Sequence, residues 1–367
     1  MKLLHRLLLV LYFPFILLVC AATLGVVIGL FSLEASGCGR FLTILIALVL
    51  LATLVQVLWT FWFVLTAPRE RDELELRLPR KALRELYEFV GEVAKQRGLR
   101  PPDQIRLGAG TVAHVYEDRK GEKILVIGGI TLAAFTQEVL AGIVAHELAH
   151  FDAGDTRLLR QASQRALFMA VLEYRFQLQR TALLNPLVWL LYLYHFLYRC
   201  AWAANSRQQE FLADQESVRQ VGKEASAADL IYLSVTEHLP WARLSSIIEA
   251  CVANNEPMSR VFAEQVQRAR ATTRSEWEDA LHRALRQRTG LFDSHPALKE
   301  RLAALGVSPR KALKAALDRS GPPAHQLIPG WERVEKELSD RLIAPYREAY
   351  LAKMEMAQII LGRPIGR

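Results

Sequence analysis

Four cysteines in 367 residues, widely spaced at Cys20, Cys38, Cys200 and Cys251, give neither a disulfide framework nor a cysteine-based metal site. Two of them fall inside apolar stretches, where a thiol behaves as a small hydrophobe. A long basic block is missing too. The net charge is +8, but Lys and Arg are interspersed with Asp and Glu and no aromatic-interleaved stripe accompanies them, so nucleic acid is not an expected partner. The excess reads instead as affinity for an anionic membrane surface. There is no internal repeat, and no low-complexity tract beyond the turn Gly321-Pro322-Pro323.

Charge is absent altogether from Leu7 to Leu33 and from Phe41 to Pro68, and both runs exceed the roughly 20 apolar residues that a helix needs to cross a bilayer. A cleaved signal peptide is excluded by the length of the first run and by the lack of a small-x-small site after it, so residues 1–68 are expected to form an uncleaved transmembrane helical hairpin. Lys2 and Arg6 precede the hairpin, Ser32 to Arg40 between the runs carries one basic residue, and Arg69, Arg71, Arg77, Arg80 and Lys81 follow. The positive-inside rule then places both ends, and everything C-terminal, in the cytoplasm. A third charge-free run, Thr181 to Tyr198, lies between Arg180 and Arg199 and holds Asn185, Pro186 and His195. Its aromatic residues suit the headgroup layer, and segment 181–203 is expected to dip into the membrane and return rather than cross it. A partner crossing at Ala166 to Leu178 is interrupted by Glu173 and Arg175.

Residues 69–320 are expected to be the soluble domain and 321–367 a helical tail, amphipathic from about Trp331 to Ile360, with no identifiable chemistry of its own. Apolar spacing over 69–99 predicts an amphipathic helix ending near Gly98, ahead of Pro101 and Pro102. Ile105 to Tyr116 and Lys123 to Ile127 read as strands of a hairpin joined by Glu117-Asp118-Arg119-Lys120-Gly121-Glu122. After Gly128-Gly129 the pattern predicts a helix of about 17 residues, capped by Thr136 and ended by Gly154.

That helix carries His146-Glu147-Leu148-Ala149-His150, the H-E-x-x-H pattern. Positions four apart share a helix face, so both imidazoles reach one ion while Glu147 projects beside them as a general base. The apolar residues Val139, Leu140, Ile143 and Val144 imply a buried helix, and buried polar residues need partners. Catalytic zinc normally takes three protein ligands and leaves a fourth position open, so a third ligand is sought downstream. In Ser206 to Asp214, Glu210 and Asp214 lie one turn apart beside Phe211, Leu212 and Ala213. Glu210 would complete the set for one Zn2+ per chain, and Asp214 would accept the second N–H of a ligating imidazole. In isolation this segment is an acidic helix face; the upstream motif is what requires its carboxylate. Asp155-Thr156 reads as the cap of the next helix, and His114, His195, His238 and His282 read as structural.

H-E-L-A-H followed by E-F-L-A-D, behind an N-terminal membrane hairpin, resembles the integral-membrane zinc peptidases that include the HtpX heat-shock proteases and the CAAX prenyl proteases. Ser294-His295-Pro296-Ala297-Leu298-Lys299-Glu300-Arg301-Leu302 is similar to the family's closing H-P…R-L segment. The resemblance implies an α+β, mostly helical fold with a gluzincin-like core and a small sheet, and implies that His295 and Arg301 lie near the substrate carbonyl. Spacing alone makes His295-Pro296 a turn into a helix and Arg301 a surface charge. The family's substrate-binding edge strand often carries Asn-Ala-Phe where Thr111-Val112-Ala113-His114-Val115 stands, so substrate contacts are expected to differ.

The reading is therefore a membrane-anchored zinc endopeptidase, multi-pass and facing the cytoplasm, that cleaves membrane or misfolded proteins as HtpX-type enzymes do. Zinc would lower the pKa of the water it holds to about 7, and Glu147 would move that water's proton to the leaving amine. A peptide is expected in extended form against Lys123 to Ile127. Two alternatives stand beside it: processing of a lipidated C-terminus, and a membrane scaffold or chaperone in which zinc only stabilises the fold. A purely stabilising site would not require Glu147.

Overall fold

The computed structural model describes residues 2–32, 38–66, 74–109, 113–118, 120–152, 165, 167–175, 186–239, 260–318 and 320–360. Of the described residues 76% are helical, with one small mixed sheet and two apolar helices near the N-terminus. It divides into two compact units, one of Met1–Arg69, Arg157–Gln208 and Gly290–His295, the other of Glu70–Thr156, Gln209–Thr289 and Pro296–Arg367.

In the first unit, α1 (Lys2–Ser32) and α2 (Cys38–Thr66) each contain a span long and apolar enough to cross a membrane. Only 33% and 28% of these spans are buried, whereas a core helix of a soluble protein buries most of its surface. Val10, Leu18, Phe41 and Trp62 are among the large apolar side chains left facing outward. The inward faces pack with helical residues 167–175 and with the start of the long helix Pro186–Val221, through Leu9, Tyr12, Ile16, Phe168, Leu172 and Leu191. Polar groups there are satisfied locally, as an apolar surrounding demands. Thr23, Thr53 and Thr60 each donate to the carbonyl four residues back at 2.8 Å. Pro14 removes one N–H from α1 and loosens the turn before it. The nearby carbonyls of Leu8 and Leu9 accept from Tyr194 Oη at 2.6 Å and Arg165 Nη2 at 2.7 Å.

The second unit begins with a strand where a helix was expected. Residues 75–76 form β1 (Glu75–Leu76), and the amphipathic helix starts later, as α3 (Arg84–Arg97). The correction has a plain cause: Glu75 is buried against Arg106 and Leu76 in the core, so sheet pairing outweighs local helical spacing. α3 buries Leu86, Val90 and Val93 and ends at Gly98, as expected, where the backbone takes a left-handed φ of 64°. The expected strand Ile105 to Tyr116 is two strands, β2 (Gln104–Gly108) and β3 (Ala113–Glu117), followed by β4 (Lys123–Gly128). Their order is β1-β2-β4-β3, with β2 parallel and β3 antiparallel to β4. The hairpin β3-β4 is as expected: Asp118 Oδ1 accepts from the N–H groups of Lys120 and Glu122, and Gly121 adopts φ 84°. Because β4 is paired on both sides, a peptide cannot add to Lys123–Ile127, and that expectation is corrected; among the described residues the edges of the sheet are β1 and β3.

A short helix that the pattern does not foretell, α4 (Gly129–Ala134), precedes α5 (Gln137–Asp152), the helix expected behind a Thr136 cap. The Thr136 hydroxyl accepts from the Val139 N–H at 3.4 Å and caps α5; Gly154, Asp155 and Thr156 lie outside the described residues. Next comes α6 (Pro186–Val221), 36 residues without a break, so the chain does not reverse between residues 186 and 203. Residues 181–185 lie outside the described residues, as do Arg69, Arg71, Thr111 and Val112.

α7 (Lys223–Thr236), α9 (Arg274–Arg286), α10 (Leu298–Leu305) and α11 (Pro309–Leu317) pack around Ile231, Trp277, Leu302 and Leu313. α8 (Val261–Ala271) leans on α12 (Trp331–Ile360), whose Ser339 and Glu335 accept from the first N–H groups of α8, those of Val261 and Ala263, at 3.1 and 2.7 Å. The first half of α12 therefore belongs to the core, through Val334, Leu338, Leu342 and Ile343.

Candidate metal centre

The site grows out of α5. Leu140, Val144, Ala145, Leu148 and Phe151 occupy the buried stripe, which leaves His146, Glu147 and His150 half-buried on the adjoining face. Lys123 Nζ donates to the Phe151 carbonyl at 3.1 Å and fixes the end of the helix against the central strand.

Across from this face α6 presents Glu210 and Asp214, both buried, with relative exposures of 5% and 3%. Glu210 Oε2 lies 3.7 Å from His146 Nε2, and Oε1 lies 3.6 Å from His150 Nε2. One ligand atom from each of the three residues falls within 4.8 Å of the others. The donor set suits zinc: two imidazole nitrogens and one carboxylate oxygen, with bonds of roughly 2.0–2.1 Å, make a tetrahedral edge of about 3.3–3.4 Å, close to the spacings seen.

Asp214 Oδ1 is 3.2 Å from His146 Nδ1, which leaves Nε2 toward Glu210. Arg301, on α10, donates Nε to Asp214 Oδ2 at 2.8 Å and Nη2 to Oδ1 at 2.5 Å, and the same Nη2 is 3.5 Å from Glu210 Oε2. Burial acts to raise the Asp214 pKa, but the Arg301 guanidinium, and His146 after it, outweigh burial and hold the carboxyl well below the usual range. Burial likewise acts against the charge on Arg301, and Asp214, Glu210 and Glu147 overcome it, so its pKa is raised.

The structure thus brings together His146, His150, Glu210, Asp214 and Arg301. Arg301 is no surface charge; its side chain is 15% exposed and forms a bidentate pair with Asp214, a contact that spacing could not have shown because 87 residues separate the two. His295 is exposed and belongs to the first unit.

Two histidines one turn apart with a buried carboxylate facing them form a group that could hold a metal ion, and Glu147 lies between the histidines on the same helix. The chain belongs to peptidase family M48, whose model matches residues 84–307, the family that contains the HtpX and CAAX prenyl protease type zinc metallopeptidases. No curated protein matches the sequence.

Proposed function

We propose that the chain is a membrane-anchored, zinc-dependent endopeptidase with a gluzincin-like core, its site facing the cytoplasm, acting on membrane or misfolded proteins. The observation that carries this reading is the convergence of His146, His150 and Glu210 around a common point, with Glu147 on the same helix. The outward-facing apolar surfaces of α1 and α2 support the anchor, and the excess of Lys and Arg outside the hairpin supports the orientation.

His146, His150 and Glu210 would hold the ion, which when bound supplies a Lewis acid to polarise the scissile carbonyl and to acidify water. Glu147 accepts the proton of the attacking water and delivers it to the leaving amine, so that the amine departs neutral. Asp214 keeps His146 in the tautomer that offers Nε2, and Arg301 keeps Asp214 ionised and in place. By the family resemblance His295 and Arg301 also steady the negative charge that develops on the carbonyl oxygen. An extended substrate pairs with β3, an edge strand among the described residues, whose main chain binds any sequence and so gives broad specificity.

The test is peptide hydrolysis by the purified full chain and by Glu147→Gln. Wild type should cleave and the variant should lose cleavage while keeping one zinc per chain by metal analysis. Equal rates in the two proteins would exclude Glu147 as the base, and zinc without turnover in either would favour a scaffold.

A further inference from the structure

One turn before His146, α5 carries Gly142, a residue that costs a helix interior about 1 kcal/mol relative to alanine and so calls for a reason. A Cβ built there would lie 2.9 Å from Val221 Cγ2, 3.0 Å from Ser217 Oγ and 3.4 Å from Asp229 Oδ2. Gly142 is thus the point at which α5 meets the end of α6 and the body of α7. None of the neighbours yields easily. Val221 is β-branched and has one strongly preferred rotamer in a helix, and Ser217 Oγ is bonded to Ser226 Oγ at 2.8 Å in a buried pair.

These contacts belong to the same helical seam as the metal cluster. Positions 142, 146 and 150 advance by 40° per four residues along α5, and positions 210, 214, 217 and 221 stay within about 60° on α6, so each set forms a stripe. Gly142 faces Ser217 and Val221 at one end of the seam; His146 and His150 face Asp214 and Glu210 at the other. We infer that Gly142 is a positioning residue: the missing side chain sets how closely α6 approaches α5, and that separation fixes the distance from Glu210 to the two imidazoles. This rests on the metal reading given above.

Magnitudes favour transmission. A methyl group at 142 would stand half an ångström short of ordinary contact with Val221, which begins at 3.4 Å. Metal sites tolerate ligand displacements of only about 0.2 Å. A rigid α6 that backs away at Ser217 and Val221 carries Asp214, one turn on, and Glu210, two turns on, with it.

The experiment compares the full chain in detergent with Gly142→Ala, Val221→Ala and the double variant, and with Gly91→Ala, a helical glycine in α3 whose added Cβ would meet nothing within 4 Å. Zinc affinity is read by competition with a chromogenic chelator, and unfolding temperature is read on the metal-free proteins. Gly142→Ala should bind zinc at least about tenfold more weakly, the scale of changes that act through a ligand's supports. Its metal-free form should melt lower than wild type. Val221→Ala should restore part of both in the Gly142→Ala background, since Ser217 stays in place, and Gly91→Ala should neither weaken zinc binding nor lower the melting temperature. Unchanged melting of Gly142→Ala, or no recovery in the double variant, overturns the spacing role whether or not zinc binds. Lower melting with unchanged zinc affinity overturns its link to the ligands. Failure of wild type to bind zinc would instead remove the metal reading, and the positioning role with it.

Discussion

Replacing Arg301 by methionine keeps most of the side chain's apolar stem but removes the guanidinium from Asp214. The pair is 15% and 4% exposed, so solvent cannot take over the lost partner, and a carboxylate with two hydrogen bonds from Arg301 keeps, among the described residues, His146. Removing one member of a buried ion pair costs about 3–5 kcal/mol, and the contact with His146 places this case near 3. For a domain of this order that is a fall in melting temperature of roughly 6–12 °C. The assay is thermal unfolding of the metal-free chain for Arg301→Met, Asp214→Leu and the double variant. Because the cost lies in the stranded charge, the double variant should be more stable than Arg301→Met. Arg301→Met melting within about 1 °C of wild type, or additive losses in the double variant, would refute the claim that Arg301 acts by holding Asp214.

Glu210→Ala removes the third ligand and should leave the purified chain without stoichiometric zinc by elemental analysis, while its helical circular dichroism stays unchanged. Chelation of wild type should lower the melting temperature, and added zinc should restore it by an amount that grows with the logarithm of free zinc; a melting temperature indifferent to zinc counts against a bound ion. Gly98→Ala forces a side chain into the left-handed conformation at the end of α3 with no steric obstacle besides the backbone, so urea unfolding should show a loss of about 1 kcal/mol. The Thr273 hydroxyl, and then its N–H, hold the Glu276 carboxyl below its ordinary range in the capping box of α9. Its contribution is therefore complete above the unfolded glutamate pKa and is lost as pH falls through the folded value, so the stability gap between wild type and Glu276→Gln should close in acid.

Patterns that depend on near neighbours along the chain were legible before any coordinates. The hairpin follows from two uncharged runs, the H-E-x-x-H helix from its period and its Thr136 cap, and the β3-β4 turn from Asp118 and Gly121. Each is set by covalent geometry and by transfer of apolar groups from water, which act over a few residues. Glu210 and Asp214 could be nominated, since four-residue spacing puts both on one face, but only by arguing from the needs of a metal.

What the sequence by itself determined is which polar side chains share a helix face: two imidazoles a turn apart, a glutamate beside them, and a downstream pair of carboxylates. Tertiary structure alone decided the partners of those groups. It turned Glu75 into a strand residue, put β3 at the edge of the sheet, brought Arg301 onto Asp214 across 87 positions, and let α6 close on α5 at a glycine. The reason is that burial and pairing energies belong to whichever groups meet in space, and separation along the chain does not specify which groups those are.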